Sequence, residues 1–398
     1  MVFVKWSGSE DKMIHHNGYY KIGDEIINNK FYALIKGSKM NIDPEWWFYD
    51  EVYDKACDNF RSYDISLKEI YRQRAQQLRD KYDYLILNYS GGSDSHNVLC
   101  TFLEFNIKLD MVYIQWPMSL MDKGLYTPNV HDTSNFNYHS EWDFVLKKDL
   151  EWLSKKYPEI KIEIGDWVEN VKESYYDDDL LLNNVTNLPS ISRAQKQNTF
   201  SKTETKLSNM GLKVGSVYGV DKPVFGMKNN KAYFKLPDST CMAQPNPDNP
   251  NGLEYFYFTP DMPEILIVQA YNLFEYHKKS NDKSFVRGFV FNHKDFGWYS
   301  DFHDRAETHK LVCYPYWTFD RFQADKPWVY TTLGNLPMGV RSWDNILYKG
   351  LTNFSRVQKK WEYIWKSYMP LIDERFFFPN IKDTISPIFT KWHQIKFN

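Results

Sequence analysis

The segment that most constrains this chain is Tyr84-Leu85-Ile86-Leu87-Asn88-Tyr89, which runs without a break into Ser90-Gly91-Gly92-Ser93-Asp94-Ser95. A short apolar run of this kind predicts a buried strand of the type found in parallel sheets. From His96 to Phe105, Val98, Leu99, Phe102 and Leu103 recur at helical spacing. A strand that turns into a helix through two glycines leaves backbone N–H groups and hydroxyls at the helix N-terminus, where the macrodipole favours an anion. Gly91 and Gly92 permit positive φ and let phosphate oxygens approach the main chain with no Cβ in the way. Five fixed positions at average residue frequencies give a chance match in such a chain on the order of one in two thousand. The plain alternative is a tight, capped strand-to-helix turn.

The flanks extend the pattern. Ser66 stands at an N-cap position with Glu69 three residues on, so a helix is predicted over Leu67 to Lys81. Strands are expected at Met111–Gln115, Lys161–Ile164 and Lys213–Tyr218, and a helix from about Glu141 to Lys156. Strand, helix, strand, helix, strand predicts an α/β fold with a Rossmann-like parallel sheet. Lys231–Leu236 is expected as an antiparallel edge strand. Ahead of this core, residues 1–62 read as a small β-containing lead-in, with apolar pieces at Tyr19–Ile22 and Phe31–Ile35. The proline-rich stretch Asp238–Asn251 marks a boundary, giving a core of 63–237 and an aromatic-rich C-terminal region of 238–398. That last region is expected to be mostly helical or irregular, with helices at about Asp261–Lys279 and Leu351–Tyr368.

Composition narrows the classes of partner. Lys plus Arg is 49 and Asp plus Glu 51, a net charge of −2, so the chain as a whole is no polycation for nucleic acid or anionic membrane. No apolar run approaches the roughly 18 residues of a membrane span, and the start lacks the apolar stretch of a signal peptide. Cys57, Cys100, Cys241 and Cys313 lie far apart and form no C-x-x-C, so a reducing cytoplasm is the expected location. Aromatic residues make up 18% of the chain, concentrated in the lead-in and beyond the proline-rich boundary, where they are expected to pack around the core and shape an acceptor pocket.

Ser90-Gly91-Gly92-Ser93-Asp94-Ser95 after a buried strand resembles the PP-loop of the ATP pyrophosphatases, in the adenine nucleotide α-hydrolase-like superfamily. That group includes asparagine, GMP and NAD synthetases and tRNA lysidine and 4-thiouridine synthetases. The resemblance covers roughly residues 63 to 235, and the motif is specific to the superfamily, not to a substrate. Arg79–Asp83 before the strand and Gly219–Pro223 resemble phage-encoded members.

The resemblance implies cleavage of ATP between the α and β phosphates. A substrate oxygen attacks the α phosphorus, pyrophosphate leaves into the loop, and an amine, ammonia or sulfur nucleophile then attacks the adenylate. Carried over residue by residue, Ser90, Gly91, Gly92, Ser93 and Ser95 would hold pyrophosphate, and Asp94 would help organise Mg²⁺. Main-chain groups of Tyr113, Ile114 and Gln115 would meet adenine. Lys222, just past a predicted strand end, is the candidate for neutralising the leaving group, with Asp221 as its partner or a second metal ligand. The reading is an AMP-forming ligase or adenylating transferase using ATP and Mg²⁺ on a small-molecule or nucleic-acid acceptor, away from membranes, with a homo-oligomer left open.

Two alternatives remain at the level of sequence. One is a nucleotide-binding module without turnover. The other resembles the sulfonucleotide (PAPS) reductases and would need Cys313 as its catalytic thiol. There is no Walker-type loop, no Gly-x-Gly-x-x-Gly, no N-terminal cysteine for a glutaminase and no paired or zinc-binding cysteines. Secondary candidates are His131 and His139 as site-lining residues and Asp301, His303, Asp304 and His309 as metal ligands. Trp46–Tyr49 and Tyr314–Trp317 are candidates for base stacking, with packing as the stronger reading.

Overall fold

A computed structural model describes residues 18–60, 66–121, 141–167, 199–220, 223–238, 243–279, 309–318, 363, 366–377 and 385–396. The lead-in is an antiparallel sheet of β1 (Tyr19–Ile22), β2 (Glu25–Ile27) and β3 (Glu45–Trp47), in the order β2-β1-β3. Two helices accompany it, α1 (Lys30–Met40) and α2 (Asp50–Asp58). Phe31–Ile35, one of the apolar pieces behind the β expectation, is therefore helical. Its start is set by Asn29, whose side chain accepts from the Tyr32 N–H at 3.2 Å. Its end is set by Asn41 in the left-handed region at φ 55°.

Next comes α3 (Leu67–Lys81), with the Ser66 hydroxyl accepting from the Glu69 N–H at 3.2 Å as the sequence predicts. Strands β4 (Tyr84–Asn88), β5 (Met111–Trp116), β6 (Lys161–Asp166) and β7 (Val214–Tyr218) then lie parallel to one another. Their connections carry α4 (Ser93–Glu104), α5 (Lys147–Lys156) and α6 (Lys202–Asn209). The helix expected from Glu141 opens with a π-helical turn over Trp142–Leu146 before α5 begins.

After β7 the chain makes a hairpin of β8 (Val224–Lys228) and β9 (Lys231–Lys235), turning through Asn229 and Asn230, both at positive φ. Beyond the proline-rich segment, β10 (Leu253–Tyr255) joins β7 in parallel, and α7 (Glu264–Lys279) follows. The central sheet thus has five parallel strands in the order β10-β7-β4-β5-β6 and takes its last strand from beyond residue 237. Counted in chain order from the β6 edge, this is third-second-first-fourth-fifth, the doubly wound Rossmann-like arrangement.

Burial follows the pleat. Leu85, Leu87, Val112, Ile114 and Val217 belong to the main core with Val98, Leu99 and Phe102 of α4 and Ile265 and Leu266 of α7. The alternate residues Ile86, Met111, Tyr113 and Val214 form a second, smaller cluster against Leu207 of α6 and Leu212. Both faces of the sheet are covered, which is why its strands read as apolar runs without alternation. β9 is not an edge strand of this sheet. It is the middle of a separate antiparallel sheet, order β11-β9-β8, completed by β11 (His393–Gln394).

Buried charges fasten the elements. Arg74 on α3, fully buried, donates to Glu254 Oε2 at 2.8 Å and to the Tyr255 carbonyl at 2.9 Å. Lys81 and the Tyr82 hydroxyl both reach Glu254 Oε1 at 2.7 Å. Lys30 pairs with Asp238 at 2.8 Å, and Tyr20 donates to the same carboxylate at 3.0 Å. Among the described residues no helix is long and apolar enough to cross a membrane.

Candidate functional site

Doubly wound sheets bind ligands outside the carboxyl ends of their strands, at the point where the strand order reverses. Here that point lies between β4, whose crossover leads to β5, and β7 on its other side. Ser90–Ser95 occupy the end of β4 at this place. Gly91 takes φ +77°, and a Cβ there would come within 3.0 Å of Leu146 and 3.1 Å of Val145, so the turn is closed to any larger residue. Gly92 is the N-cap of α4 and, having no side chain, places no capping group over the first turn. A Cβ on Gly219, just past β7, would lie 2.8 Å from Ser95 Cα. The end of β7 is therefore pressed against the first turn of α4.

The serines brace the turn. The Ser95 hydroxyl donates to the Gly92 carbonyl at 3.2 Å and accepts from the Ser90 N–H at 3.3 Å, while the Ser90 hydroxyl accepts from the Gly92 N–H at 3.3 Å. Ser90 is exposed and Ser95 buried. Ser93 stands at the first helical position, and its Oγ is buried with no hydrogen-bond partner. A buried hydroxyl without a partner is costly, and an anion in the cradle would relieve it.

Asp94 is held from outside the core. The Tyr314 hydroxyl donates to Asp94 Oδ1 at 2.9 Å, and the Tyr257 hydroxyl donates to the Asp94 carbonyl at 2.8 Å. Asn97 donates to the Tyr257 oxygen at 2.9 Å, and the two tyrosine rings stack with centroids 5.8 Å apart. The segment that brings Tyr314 is itself anchored, because the Tyr71 hydroxyl on α3 donates to the Cys313 carbonyl at 2.8 Å. Tyr257 carries no local sequence signal for this role. Tyr314 stands out in sequence only as one of a run of aromatics.

The three residues expected at adenine are unequal. The Tyr113 carbonyl accepts from the Tyr89 N–H at 2.8 Å, and Ile114 pairs with Ile164 on β6. Main-chain direction alternates along a strand, so Gln115 turns its N–H and carbonyl to the β4 side, past the last β4 residue paired with β5. Its side chain donates to the Thr199 carbonyl at 2.6 Å. The Tyr113 ring is buried against Gly165, where a Cβ would meet its hydroxyl.

No protein-family model, curated protein or solved structure matches the chain. The site is therefore read from its own geometry. Asp221, Lys222, His131, His139, Asp301, His303 and Asp304 lie outside the described residues. His309 stacks on Phe225 at 5.4 Å, and no group of three or more His, Cys, Asp or Glu among the described residues could hold a metal. Of the stacking candidates, Trp46, Phe48 and Tyr314 are buried and pack, whereas Trp47, Tyr49, Tyr316 and Trp317 are half-buried. The Cys313 thiol is also buried, a poor setting for the catalytic sulfur of a reductase. A cavity of about 680 Å³ opens among Lys231, Tyr271, Phe274, Lys278 and Lys396, and no residue of Ser90–Ser95 lines it.

Proposed function

We propose that Ser90–Ser95 hold the β and γ phosphates of ATP and that the protein cleaves ATP between the α and β phosphates to adenylate an acceptor. What supports this most is the glycine turn at the point of strand reversal, with Gly91 in the left-handed region and a buried, unpartnered Ser93 hydroxyl at the start of α4. Phosphate oxygens need N–H and O–H donors delivered by a main chain they can approach closely, and that is what such a turn offers. The uncapped first turn of α4 stabilises charge as it gathers on the leaving pyrophosphate. Gln115 would take the adenine edge, and the acceptor would enter from the side of Tyr257 and Tyr314.

Magnesium fits at Asp94 in a limited way. One carboxylate oxygen already accepts from Tyr314, so the ion would draw most of its ligands from phosphate and water, its usual preference. When bound it would neutralise phosphate charge. The tyrosines keep the Asp94 side chain and main chain in one orientation before substrate arrives.

The test is the position of cleavage. Incubation with ATP, Mg²⁺ and a pool of carboxylate, amine and nucleoside acceptors, followed by phosphorus NMR, is expected to yield AMP and pyrophosphate. Exclusive formation of ADP and phosphate would overturn the proposal. Tight ATP binding with no turnover across the pool would assign the protein instead to the nucleotide-binding modules.

A further inference from the structure

A second constellation, separate from the phosphate cradle, runs along the outer side of α4. The Tyr89 hydroxyl donates to the Asp149 carboxylate on α5 and lies 3.0 Å from His96 Nδ1. His96 Nε2 is 3.3 Å from the Cys100 sulfur, one helical turn further on. Hydrogen-bond arithmetic fixes the direction of the chain. An ionised carboxylate only accepts, so the single Tyr89 proton goes to Asp149 and the Tyr89 oxygen must accept from His96. The His96 proton then sits on Nδ1, which leaves the Nε2 lone pair facing the thiol. A cysteine beside a base whose far nitrogen is held by a third group has the arrangement of an activated nucleophile. Cys57 and Cys313 contrast with it. Both are buried, and burial pushes the Cys57 thiol up to about 12, whereas Cys100 is partly exposed.

We propose that Cys100 is a nucleophilic thiol with His96 as its base, forming a reactive centre that accepts an activated acyl group. In the step, the Cys100 proton passes to His96 Nε2 and the sulfur attacks the acyl carbon. The new S–C bond replaces the bond to the leaving group, which departs with its electron pair and can take the proton from His96. Tyr89 and Asp149 are positioning residues, since they act through the imidazole. Glu104, one turn beyond Cys100 and paired with Lys68 of α3, and Tyr316, which interacts with both Cys100 and Glu104, also face the thiol. The centre does not depend on the ATP reading, because no phosphate ligand takes part in it.

The probe is 4-nitrophenyl acetate. At pH 7 the protein is expected to release a burst of one equivalent of nitrophenolate per chain and to carry the acetyl group on the Cys100 peptide. Cys100→Ser abolishes the burst, and His96→Gln slows it by about 100-fold. Tyr89→Phe, which keeps the buried ring, slows it by about tenfold and moves the midpoint of its pH profile downward, because the His96 imidazolium loses the acceptor of its Nδ1 proton, with the circular dichroism spectrum unchanged. No burst, an acetyl group found elsewhere, or a pH profile identical in the wild type and Tyr89→Phe would overturn the proposal.

Discussion

The turn at the end of β4 and the clamp around it are built in opposite ways. The cradle is local. Ser90, Gly92 and Ser95 hydrogen-bond among themselves within six consecutive residues, at a place dictated by the strand before and the helix after. The clamp is remote. Tyr257 and Tyr314 reach Asp94 across 163 and 220 residues of chain. Arg74 reaches Glu254 across 180. A strand-to-helix glycine turn can thus be specified by a short segment, while the fastening of its Asp94 is left to distant chain.

If that contrast is right, cutting the buried ion pair that fastens remote chain costs more stability than straining the local turn. Glu254→Gln should have the largest effect, about 3 kcal/mol, because it leaves the fully buried Arg74 guanidinium uncompensated. Denaturant unfolding measures it and also supplies a pH signature. Burial alone would raise the Glu254 carboxyl, but Arg74, then Lys81 and Tyr82, outweigh it and hold it below its ordinary value. Its stabilisation is complete above the ordinary glutamate value of about 4.3 and lost as pH falls toward the depressed folded value. The gap between wild type and Glu254→Gln should close from pH 5 downward. A gap constant with pH would remove the charge from the explanation.

Gly91→Ala comes next, at about 1–3 kcal/mol, since a side chain is forced into the left-handed region against Leu146 and Val145. This tests the cradle as backbone geometry. A variant as stable as the wild type would show that the turn relaxes freely. Tyr314→Phe separates the clamp from the cradle. Its cost in stability should be only about 1 kcal/mol. The Mg²⁺ concentration needed for half-maximal ATP binding, read by calorimetry, should rise several-fold as Asp94 loses its orienting bond. Unchanged Mg²⁺ dependence would reduce Tyr314 to packing. Smallest is Ser66→Ala, about 1 kcal/mol or less for an exposed N-cap that holds one N–H of α3.

The same contrast explains what could be read in the sequence. The strand, turn and helix from Tyr84 to Glu104 and the Ser66 cap are legible because their signals are consecutive. Phe31–Ile35 is ambiguous, since five apolar residues fit strand or helix, and only Asn29 and Asn41 at the ends argue for helix. The place of β9 could not be seen. Its partner on one side is β11, where His393 pairs with Phe234, and pairing across 159 residues leaves no periodicity to find. Tyr257 and Tyr314 escaped for the same reason. Aromatic residues far from a loop look like packing until the fold brings their hydroxyls to it, as it does here at Asp94.

The central claim is that the turn binds the phosphates that leave. Titration of magnesium pyrophosphate into the wild type and Gly92→Ala tests it most directly. Gly92 has an ordinary φ of −68°, and its Cβ would meet only the Ser90 hydroxyl at 3.3 Å, so alanine leaves the fold intact while placing a methyl group in the cradle. The wild type is expected to bind pyrophosphate, and Gly92→Ala to bind it at least about tenfold more weakly. A wild type that ignores pyrophosphate, or a variant that binds it equally well, would contradict the account.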